Sequence, residues 1–266
     1  MIPPTSIDGT DITGATIDGT DVQEITVDGD VVFSATTFPV AYSNLIAWYP
    51  FDSAEYGGSN GDDVTAILGG SGDDTAYNGT VVGANYVSSG GVTDIRAGAN
   101  SGAYDFSNNT DSIDVFPSST INVDKISITT WIGDVPSGNR VFFNGTDTNS
   151  NSNIELILNP SYGVIVDDDN DVRIDKSVSR TNVTHHYGMT YDNGSLNMYI
   201  DGSSVLTDSI SHSFVQINEW SIGNFSFVAG SFQDDSIRGV MDDFRIYNDV
   251  LSGSQINQIY QNTKPP

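Results

Sequence analysis

The stretch His185–Val205, HHYGMTYDNGSLNMYIDGSSV, decides the fold. It holds two runs that alternate with a period of two residues. Tyr187, Met189 and Tyr191 fall on one side of the first run; Leu196, Met198 and Ile200 fall on one side of the second. Successive strand residues point to opposite faces, so each run carries one apolar face. Asp192-Asn193-Gly194 lies between them, where a tight turn needs positive φ and Asn and Gly tolerate it. Asp201-Gly202 closes the second run. The stretch reads as a β-hairpin with one buried face.

Working outward, the same period recurs. Leu45-Ile46-Ala47-Trp48-Tyr49 is a strand that runs into Pro50-Phe51-Asp52. Ser53 to Gly72 is rich in Gly, Ser and Asp and reads as a loop. Gly102 to Phe106 and Asp111 to Val115 read as a strand pair across Ser107-Asn108-Asn109. Ile126 to Ile132 alternates cleanly, and Val141-Phe142-Phe143, Ile154 to Leu158 and Gly163 to Val166 continue as short strands at sandwich-like spacing. Trp220 to Gly223 and Gly239 to Asn248 close the series. Ser252 and Gln255 form a capping-box pair for one short helix, with Ile256, Ile259 and Tyr260 on its apolar side. Periodicity alone gives a β-sandwich or barrel.

The first 38 residues differ. Ile7-Asp8-Gly9-Thr10-Asp11, Ile17-Asp18-Gly19-Thr20-Asp21 and Val27-Asp28-Gly29-Asp30 repeat one unit at a ten-residue period. Each sets a β-branched residue before a turn-forming Asp-Gly. A repeat with so few apolar residues stacks on a neighbour or another chain. Residues 1–38 therefore read as an attachment and oligomerisation segment, the alternative being a flexible acidic arm. Phe38-Pro39 marks the boundary, and residues 39–266 form the globular domain.

Of the 266 residues, 35 are acidic and 9 basic, a net charge of −26. Only Glu24, Glu55, Glu155 and Glu219 are glutamates, and only Lys125, Lys176 and Lys264 are lysines. Screening lengths shrink to ~3 Å near 1 M salt, which removes the self-repulsion of such a surface. The composition points to a hypersaline medium; a calcium-loaded secreted protein is the alternative. No basic patch exists to neutralise phosphates, so nucleic acid is excluded as a partner. The absence of cysteine excludes disulfides, thiol nucleophiles and thiolate metal sites, and no apolar run reaches the length of a membrane span. The opening MIPPTSIDGTD has neither a basic n-region nor an apolar h-region; either a signal has been removed or the protein uses none, and a virion component assembled inside a cell and released by lysis would need none.

Several ordered segments resemble the laminin-G-like domains of the concanavalin-A-like lectin/glucanase superfamily. They include Trp48-Tyr49-Pro50-Phe51-Asp52, Asp73 with Asn78-Gly79, and the hairpin His185-His186 to Asp201-Gly202. The last is Phe232 with Gly239-Val240-Met241-Asp242-Asp243-Phe244-Arg245-Ile246-Tyr247-Asn248 and Leu251-Ser252. The resemblance implies an all-β fold, a two-sheet antiparallel jelly-roll sandwich carrying the N-terminal β-repeat segment and one C-terminal helix. It also implies calcium at a loop edge, with Asp52 and Asp242 as matching positions and Asp73 in a nearby segment; solvated acids or turn caps are the alternative. Asp167-Asp168-Asp169-Asn170-Asp171 lacks the Gly and distal Glu of an EF-hand loop and reads as a hairpin tip. The Asp-Gly repeat resembles those of tail-fibre and spike proteins of viruses infecting halophilic archaea.

Catalytic patterns are missing. No Glu-x-Asp-x-Glu sets an acid and a nucleophile on one strand face. No Gly-x-Ser-x-Gly or His-Glu-x-x-His occurs, and His185, His186 and His212 lack the spacing of a metal site, so a non-enzyme is expected. Sugar recognition needs aromatic platforms among Asn, Asp and backbone groups. Trp220, Tyr162 and Tyr86 are the candidates, with Trp220 alternatively in the core, where Trp48 and Trp131 are expected. Sequons at Asn78, Asn108, Asn144, Asn182, Asn193 and Asn224 offer glycan attachment. The expected function is a non-enzymatic virion adhesin, a tail fibre or capsid spike, that binds a host surface glycan or glycoprotein as a homo-oligomer. The alternatives are a secreted or surface carbohydrate-binding module of a haloarchaeon, a glycoside hydrolase or lyase, and a purely structural decoration.

Overall fold

The computed structural model describes residues 44–51, 76–88, 102–117, 120–122, 124–133, 135, 138, 140–146, 154–158, 184–209, 216–224 and 236–264. It also describes the backbone of strands 6–7, 10–11, 16–17, 20–21, 24–27, 30–34, 63–64, 164–167 and 174–176. The chain divides into two compact units, Met1–Val40 and Ala41–Pro266. In the first unit the ten-residue repeat makes three antiparallel pairs. Strand β1 (Ser6–Ile7) pairs β2 (Thr10–Asp11), β3 (Thr16–Ile17) pairs β4 (Thr20–Asp21), and β5 (Glu24–Val27) pairs β6 (Asp30–Ser34). Each Asp-Gly of the repeat falls between the two strands of a pair, where a turn-forming dipeptide belongs.

The second unit runs β7 (Leu45–Tyr49), β8 (Asp63–Val64), β9 (Gly79–Val82), β10 (Asn85–Val87), β11 (Ala103–Asp105) and β12 (Ser112–Val115). There follow β13 (Ile121–Asn122), β14 (Lys125–Gly133), β15 (Arg140–Thr146), β16 (Ile154–Leu158), β17 (Val164–Asp167) and β18 (Ile174–Lys176). Then come β19 (His185–Asp192), β20 (Ser195–Ile200), β21 (Ser203–Ser209), β22 (Gln216–Ile217), β23 (Glu219–Ile222), β24 (Val240–Tyr247) and α1 (Gly253–Thr263). One sheet has the order β10-β11-β24-β14-β19-β20-β21, with β7 sharing the β11 edge of β24; the other has the order β18-β17-β16-β15-β23-β12-β9-β8. Every ladder between these strands is antiparallel. This is an all-β, jelly-roll-like fold of two antiparallel sheets with one short helix.

The hairpin reads as its sequence dictates. Tyr187, Met189 and Tyr191 of β19 face the core beside Leu196 and Met198 of β20. Asn193 (φ 45) and Gly194 (φ 97) make the tip, and Asp201 (φ 50) and Gly202 (φ 73) make the next turn. Two positive-φ residues in sequence are the twist that joins adjacent antiparallel strands. From the facing sheet, Phe143 stacks on Phe244 with ring centroids 5.8 Å apart, and Phe142 lies 6.2 Å from Tyr187. A register shift between Val141 and Phe143 lets both phenylalanines enter this core.

Two expectations are corrected. Gly102–Phe106 and Asp111–Val115 do not pair: β11 joins the first sheet through β10 and β24, and β12 joins the second through β9 and β23. The chain arches from sheet to sheet there, because Tyr104 and Phe106 on one side and Ile113 and Val115 on the other all point into the shared core. The stretch read as one loop, Ser53 to Gly72, contains β8, which pairs with β9.

The far face of the first sheet is also covered. Ile256 and Ile259 of α1 are buried, and the Ser252/Gln255 capping box forms at its start. Trp131 Nε1 donates to Thr263 Oγ1 (2.8 Å), and its ring lies 5.6 Å from that of Tyr260. Trp48 is likewise buried on this face under the Arg245 guanidinium, 4.5 Å from its ring centroid, and Trp48 Nε1 donates to Asp243 Oδ1. Arg245 Nε and Nη2 reach the same oxygen at 2.9 and 2.7 Å. Burial opposes the Arg245 charge, but Asp243 and Tyr247 beside it together outweigh burial and raise its pKa. Both tryptophans are interior, as expected, but neither belongs to the cluster between the sheets.

Candidate functional site

A cavity of about 440 Å³ opens at one end of the sandwich, within the ~300–1,000 Å³ range of small-molecule sites. Its lining comes from the start of β7 (Ile46), the approach to β9 (Tyr77), the β13–β14 segment (Thr120, Ile121, Asn122, Asp124, Lys125), the β19–β20 tip (Asn193) and the residue after β24 (Asn248). Loops from both sheets meet here. Asn193 donates its backbone N–H to the Asp124 carbonyl (2.9 Å), Asn122 Oδ1 accepts the Asp124 N–H (3.1 Å), and Asn248 donates its backbone N–H to the Asn44 carbonyl (2.9 Å). Backbone bonds thus fix the rim, while the side chains of Asn122, Lys125, Asn193 and Asn248 stay exposed. One aromatic wall, three carboxamides, one carboxylate and one ammonium converge. That set can stack on a sugar ring and exchange hydrogen bonds with hydroxyls; among the lining residues there is no paired carboxylate for glycoside hydrolysis.

Trp220, the first sugar-platform candidate, is fully buried. It stacks behind Tyr77 with ring centroids 5.7 Å apart and planes 22° apart, and a ring with no exposed face cannot stack on a ligand. The aromatic surface expected of Trp220 is therefore presented by Tyr77, whose carbonyl accepts the Tyr49 hydroxyl (2.5 Å). Tyr86 is half-buried on the edge strand β10, edge-on to Tyr104 at 6.2 Å, and does not line the cavity. Tyr162 lies outside the described residues. The sequence contained one usable signal for the cavity, since Asn193 and Asn248 sit at loop positions of the segments that define the fold.

Of the metal candidates, Asp52 and Asp73 lie outside the described residues, as does Phe232. Asp242 is buried, and its Oδ1 accepts the Asp243 N–H (2.8 Å). Among the described residues no three His, Cys, Asp or Glu side chains gather to hold a metal. The paired histidines have structural partners: His185 Nδ1 bonds Asp201 Oδ2 (2.7 Å), whose other oxygen accepts the His186 N–H (3.0 Å). The His186 ring is buried against Trp131; burial, then the Arg245 charge, brings its pKa down to about 3. Asn144 and Asn224 are fully buried, so those two sequons cannot carry glycans in the folded domain.

Comparison with known proteins gives a consistent picture. The solved ligand-binding domain of botulinum neurotoxin serotype D in complex with N-acetylneuraminic acid is similar at a TM-score of 0.55 and 14% identity. The match covers 84% of this chain and 52% of that one. The receptor-binding domain of the botulinum neurotoxin C/D mosaic serotype matches at 0.53 and 14%, covering 83% and 51%. This chain thus spans about half the length of those toxin domains. Domain 4 of AbnA, a GH43 extracellular arabinanase from Geobacillus stearothermophilus, in complex with arabinotriose, matches at 0.52 and 18%. There the match covers 82% of this chain and 98% of that domain. No curated protein sequence matches the chain. A laminin G-type family profile, described as the concanavalin A-like lectin/glucanases superfamily, matches residues 106–257, and with the sandwich described above the chain belongs to that superfamily.

Proposed function

We propose that the sandwich is a non-catalytic glycan-binding domain and that the cavity between Tyr77, Lys125, Asn193 and Asn248 is its site. The observation that carries this reading is the lining itself, an aromatic ring beside Asn122, Asn193 and Asn248 with exposed side chains. The complexes of structural neighbours with N-acetylneuraminic acid and arabinotriose support the ligand class. The setting we infer is a virion adhesin of a halophilic archaeal virus, a tail fibre or capsid spike. Residues 1–38 would join it to virion proteins and to copies of itself. The charge of −26 and the Asp-Gly repeat support that setting, and calcium at Asp52 and Asp242 remains part of the proposal.

The test is titration of the full chain at molar salt against a panel of soluble mono- and oligosaccharides, with release of reducing ends followed in parallel. Saturable binding without turnover, weakened in an Asn122→Ala/Asn248→Ala double variant, is expected. Asp242 is the third residue of the strand that Asn248 follows, about 20 Å away at ~3.3 Å per residue. A calcium chelator should therefore lower the unfolding temperature while leaving affinity unchanged. Binding that survives the double variant, or steady turnover, overturns the reading.

A further inference from the structure

We infer that the sugar held in this cavity is a carboxylated one, its carboxylate received by Lys125; the inference rests on the glycan reading above. Lys125 is one of three lysines in a chain with 35 acidic residues. It opens β14 directly opposite Asp192 of β19 and follows Asp124. A lysine so placed has carboxylates within reach to pair with. Yet its ammonium makes no ion pair or hydrogen bond among the described residues. Lys264 shows the contrast, with its Nζ bonded to Gln261 Oε1 at 2.7 Å. Lys125 is exposed and lines the cavity, where it is the lone cation among the lining residues.

The rest of the wall fits one carboxylate and no more. Asp124 lines the same cavity and would repel a second anion, but it accepts hydrogen bonds from hydroxyls. Asn122, Asn193 and Asn248 offer both donors and acceptors. One ammonium among acceptors and carboxamides matches a sugar acid, a single carboxylate on a ring of hydroxyls. The net charge of −26 does not prevent this at molar salt, where the field of the surface is screened to ~3 Å and only contact pairing survives.

The experiment is calorimetric titration of the full chain at molar salt with methyl β-glucuronide, its methyl ester and methyl β-glucoside, and with the corresponding galacto series. The ester keeps the shape and removes the charge. The free acid is expected to bind about tenfold more tightly than the ester or the glucoside, as for one charge-assisted hydrogen bond. Lys125→Gln should erase that preference, so that acid, ester and glucoside bind with equal affinity. Equal affinities for acid and ester, or a preference that persists in Lys125→Gln, overturn the inference. If neutral glycosides bind and acids do not, the acidic ligand is wrong and the glycan site stands. If neither series binds and the saccharide panel is also silent, both fall.

Discussion

The two ends of the sandwich are built from the same residue types and use them in opposite ways. Where β24 begins, the polar groups bond one another. Asp111 accepts the Asn108 N–H at 2.8 Å and its carboxamide at 3.1 Å, Ser236 Oγ donates to the Asn108 carbonyl, and Asn224 Nδ2 donates to the Asn109 carbonyl. Asp111, Asn224 and Ser236 are almost wholly buried. Where β24 ends, bonds also fix the rim, but they run mostly from the backbone, and Asn122, Lys125, Asn193 and Asn248 keep exposed side chains around a cavity. A buried polar group must be bonded internally, because leaving it unpaired costs the desolvation penalty. The first end is therefore committed to stability, and the second retains donors and acceptors for a partner.

That contrast predicts where substitutions act. The largest loss is expected from Asp243→Ala, three residues in from the closed end of β24. It removes the acceptor of Trp48 and strands the buried Arg245 charge. Breaking a buried pair from one side costs about 3–5 kcal/mol. Denaturant unfolding at molar salt should show that loss, with saccharide affinity intact in whatever fraction remains folded. A loss below about 1 kcal/mol would mean the Arg245 cluster has a substitute partner. Asp111→Ala comes next, at about 1.5–3 kcal/mol for hydrogen bonds to a buried carboxylate. It should again lower the unfolding midpoint and spare the cavity. A fall in affinity for this variant would show that the two ends communicate.

His186 gives an effect that depends on pH. Its folded pKa of about 3 lies below the 6.5 of an unfolded imidazole. Above pH 6.5 both states are neutral and the group contributes nothing to the slope. As pH falls from 6.5 towards 3, the unfolded chain binds a proton that the folded chain refuses, so stability drops by about 1.4 kcal/mol per unit. The carboxylates add their own slope below pH 5, so the comparison is with His186→Gln between pH 6.5 and 5. The wild type should lose stability faster, and parallel curves would show that the ring takes a proton in place.

The fold was legible because alternation is a local signal. Tyr187, Met189 and Tyr191 name a buried face without help from the rest of the chain. The sheet to which a strand belongs is not local. Nothing in Ser107-Asn108-Asn109 separates a hairpin from an arch, since both need the same turn residues, and the choice is made by strands arriving from more than a hundred residues away: Gly239, just before β24, accepts the Phe106 N–H, and β23 pairs with β12. The site was harder still. Trp220 has the right chemistry for a sugar platform and the wrong depth, and depth depends on Tyr77 stacking in front of it. Lys125 was visible only as a rare residue type. That it lines a cavity follows from the meeting of loops that sequence treats separately.

The smallest expected change in stability is at the open end. Asn248→Ala removes an exposed carboxamide and keeps the backbone N–H that bonds the Asn44 carbonyl. A surface substitution of that kind stays within about 0.5 kcal/mol. If the carboxamide meets a sugar hydroxyl, the same change should weaken binding about two- to tenfold, the worth of one net hydrogen bond. The informative quantity is the ratio of the two effects, measured on one preparation by thermal unfolding and by titration. At the closed end that ratio is expected to favour stability, and at the open end binding. Should Asn248→Ala cost stability as Asp111→Ala does and leave affinity untouched, the two ends would be equivalent caps, and the cavity would be a by-product of loop packing.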